Sequence, residues 1–99
     1  MAVPVVSAAL TERTEIEALA IQLGWAIKQD GPRTVCGYNG QALTVTWVGG
    51  SATCAVISNA DGFETARRQN YTWQTGSVGA WVRMMLRAIV DSRPVEVAG

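Results

Sequence analysis

Arg67, Arg68, Tyr71 and Trp73 form the densest run of recognition-type side chains in the sequence. Arginines beside aromatics can clamp phosphates and stack on bases. The same mixture marks protein interfaces, whose energetic centres favour Trp, Tyr and Arg. A third reading is a solvated arginine pair followed by aromatics that fill a core. Ile21 and Trp25, with Ala18, are the second candidate. They fall on the side of an amphipathic helix opposite its main apolar stripe, so an indole and an isoleucine are expected to face outward. Such a patch suits a homodimer or partner contact, or a cover supplied by residues 1–10 or the C-terminal tail. The expected partner-binding residues are therefore Ile21, Trp25, Arg67, Arg68, Tyr71 and Trp73.

Catalytic chemistry finds little support. The chain has no histidine, which removes the commonest general base and the usual partner of a Ser or Cys nucleophile. Glu12, Glu15 and Glu17 cluster at the start of a helix, where the helix dipole and solvent already account for carboxylates. The Gly-rich stretches are hairpin turns rather than strand-to-helix phosphate loops, so no nucleotide fingerprint is present. Two cysteines without histidine or a CxxC spacing do not make a zinc site. No enzyme activity, metal or other cofactor is expected.

The elements that would position these residues are legible from periodicity and turn chemistry. Thr11 is a plausible N-cap for a helix over residues 12–29, stopped by Asp30-Gly31-Pro32. Its core stripe is Ile16, Leu19, Ala20, Leu23, Ala26 and Ile27. Asn39-Gly40 and Gly49-Gly50 are hairpin turns, which sets strands at 33–38, 41–48 and 51–58. The inner face of that sheet is expected to carry Cys36, Tyr38, Leu43, Val45, Trp47, Ala52, Cys54 and Val56. Val35, Thr44, Thr46, Thr53, Ala55 and Ile57 fall on the outer face, a solvent surface or a sheet-to-sheet contact. Cys36 and Cys54 then share the inner face across an intervening strand, roughly 11–12 Å apart. That is too far for a disulfide, so two free core thiols are expected. Residues 63–74 are ambiguous, with Phe63 a candidate core residue at the head of a fourth strand. A last helix runs from about 77 to 92, capped by Ser77 or Thr75, with Val78, Val82, Met85, Leu86 and Ile89 inward.

The expected fold is α+β, in the order α-β-β-β-(β)-α: an antiparallel three- to four-stranded sheet with two helices packed on one face. Residues 1–10 read as an arm or edge segment, 11–94 as a single domain and 95–99 as a frayed tail. The element order is similar to that of the double-stranded-RNA-binding domain over about residues 12–92. That family places lysines at the start of its last helix to hold phosphates. Thr75, Gly76, Ser77, Val78 and Gly79 carry no charge, so no residue of that site carries over.

Composition bounds the function. The 48% apolar content supports a core and excludes disorder. The formal net charge is zero, whereas nucleic-acid-binding domains usually carry a clear positive excess. The charge is split weakly, net −2 over residues 1–62 and +2 over 63–99. The longest mainly apolar stretch, residues 16–27, is too short to span a bilayer, and the start lacks the basic region of a secretory signal. A soluble cytoplasmic protein is expected, of phage or high-GC bacterial type given seven arginines to one lysine. The reading that remains is a small non-enzymatic protein acting on another protein or on itself, as subunit, adaptor or inhibitor. Nucleic-acid binding through Arg67 and Arg68 is the alternative.

Overall fold

The computed structural model describes residues 11–69 and 77–92. The chain runs helix, five strands, helix: α1 (Glu12–Gln22), β1 (Ala26–Asp30), β2 (Arg33–Tyr38), β3 (Gln41–Val48), β4 (Ser51–Ser58), β5 (Glu64–Gln69) and α2 (Val78–Asp91). The strands pair antiparallel in sequence order, β1-β2-β3-β4-β5. The α+β class stands, but the sheet has five strands rather than three or four.

The added strand comes from an early end to α1. Thr11 caps the helix as expected, its hydroxyl accepting from the Thr14 amide at 3.2 Å. The helix stops at Gln22 rather than Gln29. Gly24 turns into the left-handed region at φ +96°, where a Cβ is costly. Its amide donates to Ile21 O at 3.0 Å, and the Trp25 amide donates to Ala20 O at 2.9 Å. These two bonds are a Schellman closure. Residues 26–30 are thereby released into β1, and Asp30-Gly31-Pro32, expected to stop a helix, instead begins the turn into β2.

The closure also reverses the expected orientation of Trp25. It is 3% exposed, with its ring 5.2 Å from that of Tyr38. Its indole N–H donates to Leu86 O of α2 at 3.2 Å.

Strands β2, β3 and β4 have the expected limits, and the Asn39-Gly40 and Gly49-Gly50 turns connect them. The face assignment holds for β2 and β3 but not for β4. A bulge lies where Thr46 pairs with Cys54 and Trp47 with Ala52, leaving Thr53 as the extra residue. One extra residue inverts every later side chain of the strand. Ala55 and Ile57, expected outside, are buried at 0% and 2%. Cys54 and Val56, expected inside, are half-exposed. The two cysteines are free, but they lie on opposite faces.

Both helices pack on the inner face, over Cys36, Leu43, Val45, Trp47, Ala55 and Ile57. From α1 come Ile16 and Ala20, and from α2 Val78, Val82, Leu86 and Ile89, the expected stripe with Met85 at its edge. The helices lie side by side with their N-termini at the same end. Glu15 accepts from Arg83 at 3.0 Å across them. Glu12 reaches from α1 to accept the Ala52 amide of β4 at 2.8 Å. Its carboxylate lies against Gly79 in the first turn of α2, where a Cβ would overlap it.

That packing makes Gly79→Ala a two-sided change. Alanine gains up to about 1 kcal/mol in helix propensity. Displacing the carboxylate forfeits a charged hydrogen bond and leaves the Ala52 amide without it, a loss of roughly 2 kcal/mol. The expected result is net destabilisation in the native background and stabilisation in a Glu12→Ala background. A double-mutant cycle by urea unfolding measures it; equal effects in both backgrounds would contradict the contact.

Candidate binding surface

The described helices leave the outer face of the sheet uncovered. Cross-strand register orders its residues into rows. One row runs Ala26, Gly37, Ala42 and Ser58. The next runs Lys28, Val35, Thr44, Val56 and Arg67. A third runs Asp30, Arg33, Thr46, Cys54 and Gln69. Small and β-branched side chains occupy the middle strands, and charged side chains occupy the outer positions. Val35, Ala42, Thr44, Thr46, Cys54 and Val56 are all half-exposed.

Apart from Lys28, the charged margin is paired within the chain. Arg33 pairs with Asp30 at 3.3 Å. Arg67 makes a two-pronged contact with Glu64, both prongs at 2.9 Å. Its other terminal nitrogen lies 3.7 Å from the Cys54 sulfur. Hydrogen bonding to Arg67 holds the Glu64 carboxyl below its ordinary range. A centre of small and β-branched side chains inside a charged margin is compatible with a protein contact surface.

The one carboxylate buried in the described fold, Glu17, lies on the other side of the sheet. Thr34 Oγ1 donates to it, Gln29 Nε2 donates at 2.9 Å and Arg13 Nε donates at 3.1 Å. Trp47 Nε1 in turn donates to Thr34 Oγ1 at 2.9 Å. Arg13 also donates to Gly31 O at 3.0 Å and lies 5.9 Å from the Trp47 ring centre. Burial pushes the Glu17 pKa up, but the bonds from Thr34, Gln29 and Arg13 outweigh it and leave the value lowered. A carboxylate held ionised and saturated with donors is poorly suited to proton transfer near neutrality. Its chemistry is to pin α1 to β1 and β2.

The expected site residues are dispersed. Ile21 is 59% exposed at the end of α1. Trp25 is in the core. Arg67 and Arg68 are adjacent on β5 and so point to opposite faces: Arg67 pairs across from outward Val56, Arg68 from inward Ala55. Phe63, expected in the core, precedes β5 and is 69% exposed. Tyr71 and Trp73 lie outside the described residues. Cys54 and Val56 were missed as surface residues because the bulge that turns them outward has no local sequence signature.

Among the described residues no group of three His, Cys, Asp or Glu side chains could hold a metal ion. No described helix is long and apolar enough to cross a membrane. No family model matches this sequence, and no curated protein or solved structure shows significant similarity to it.

Proposed function

We propose that this chain is a non-enzymatic protein that acts by contact with another protein or with a copy of itself, as a subunit, adaptor or inhibitor, through the outer face of its sheet. The observation that carries this reading is the centre of Val35, Thr44, Thr46, Cys54 and Val56, which no described element covers, within a charged margin. The free thiols suit a reducing compartment such as the cytoplasm. Nucleic-acid binding draws less support. Arg67 and Arg68 diverge to the two faces of β5, and Arg67 is engaged with Glu64.

The test is capture of partners by tagged protein, comparing the native chain with Thr44→Arg and Val56→Arg. Both positions are half-exposed, so the variants should fold. The expected result is a defined protein retained after nuclease treatment and lost in both variants. Retention unaffected by either substitution would overturn the assignment of the surface. Loss on nuclease treatment, with binding falling steeply in salt, would favour nucleic acid.

A further inference from the structure

We propose that the occupant of the outer sheet face is a second copy of this chain, so that two sheets pack face to face as a symmetric dimer. This rests on the reading of that face as a contact surface and names its partner.

Three observations favour a second copy. The first is shape. On β2 to β4 the rows carry Gly, Ala, Val, Thr, Ser and Cys, while Lys28, Asp30, Arg33, Arg67 and Gln69 stand at the margin. Sheets with such faces pack on one another about 10 Å apart, with strand directions within about 30°. A two-fold pairing also presents identical patches to each other, so self-complementarity is needed only once.

The second is charge. Asp30 with Arg33 and Glu64 with Arg67 pair off all the charges of the margin except Lys28, and the chain has no formal net charge. Two copies can therefore approach without the repulsion that a single-sign surface would impose. The same balance leaves little field to recruit a strongly charged partner.

The third is area. Five strands at about 4.8 Å spacing and three outward rows about 6.8 Å apart span roughly 24 by 20 Å, or about 500 Å² per copy in projection. Two copies together reach about 1,000 Å², the lower bound for a specific interface. That size fits a reversible dimer rather than an obligate one.

Cys54 supplies a native reporter. It sits within the outer face opposite Thr46, where a facing sheet would cover it. Cys36 is 1% exposed, and burial, with the nearby Glu17 charge, pushes its pKa up to about 11. Its thiol should stay silent in the folded state.

The experiment combines sedimentation equilibrium over micromolar to sub-millimolar concentrations with maleimide labelling, the modified cysteine being identified by mass spectrometry. The mass should rise from monomer to dimer. Cys54 labelling should slow roughly fivefold by the concentration that reaches ten times the dissociation constant, by mass action. Thr44→Arg and Thr46→Lys should each remain monomeric and label at the dilute rate. A monomer at every concentration overturns the proposal. So does a dimer whose Cys54 labels undiminished, or one that survives both substitutions. The native-chain labelling stands even if a variant misfolds. A monomer whose partner capture is still lost in Thr44→Arg removes the dimer and keeps the broader reading. A monomer whose capture ignores Thr44→Arg removes both.

Discussion

Trp25→Ala is expected to destabilise the fold by about 3–5 kcal/mol, the range for emptying a buried aromatic site. Total stability of a small domain is roughly 5–15 kcal/mol, so this change alone consumes a large share. Trp25 is 3% exposed and does three jobs from one position. It completes the helix closure after Gly24, packs against Tyr38 and donates to Leu86 O. No other described element ties the end of α1 to the middle of α2 by a side-chain bond. Trp25→Phe keeps most of the apolar volume but drops the indole donor, and should cost less, about 1–2 kcal/mol. Urea unfolding followed by far-UV circular dichroism measures both. A loss under about 1 kcal/mol for the alanine variant would mean that the indole is not a core residue. The same pair separates packing from recognition. The folded Trp25→Phe protein should dimerise like the native chain, because the indole lies on the opposite side of the sheet from the proposed contact.

Glu17→Ala should cost about 3 kcal/mol at neutral pH, the range for breaking a buried charged network. It leaves Arg13, Gln29 and Thr34 without the acceptor that organises them. Glu17→Gln keeps the shape and one acceptor oxygen but loses the charge, and should cost about 1–2 kcal/mol. The pH dependence has a definite sign. The folded-state pKa lies below the ordinary 4.5 because the donor bonds outweigh burial. The unfolded chain therefore takes up the proton first as pH falls. The stabilisation is fully present above about 4.5 and is lost as pH drops through the lowered folded value. The gap between the native protein and Glu17→Gln should be constant from neutrality to about pH 5 and shrink below that. Urea midpoints at a series of acidic pH values check it. A gap that widens on acidification would show that the carboxyl is protonated in the folded protein.

Much of the architecture was legible in the sequence because local chemistry and tertiary need agree there. Asn39-Gly40 and Gly49-Gly50 can turn only in a few ways, so strands β2, β3 and β4 have the expected limits. Thr11 and Ser77 cap the two helices, each hydroxyl accepting an amide of the first turn. The inward stripe of α2 followed from its period alone.

Tertiary structure decided the rest, and in each case the local sequence was degenerate. Ala26 and Ile27 extend the helical stripe of α1 as well as they form a strand. Gly24 resolves the choice only when Trp25 can close the helix and enter a core built by Leu86 and Tyr38. In β4, Cys54 and Val56 are as apolar as Ala55 and Ile57, so alternation is satisfied in either phase. The bulge at Thr53 selects one phase by bringing Ala55 and Ile57 to the inner face. That choice sends Cys54 and Val56 to the outer face, where the proposed contact lies. By itself the sequence determined the three middle strands, the start of the first helix and the whole of the last one. Which side of β4 meets the helices depended on packing, because a shift of one residue inverts a strand without changing its hydrophobic pattern.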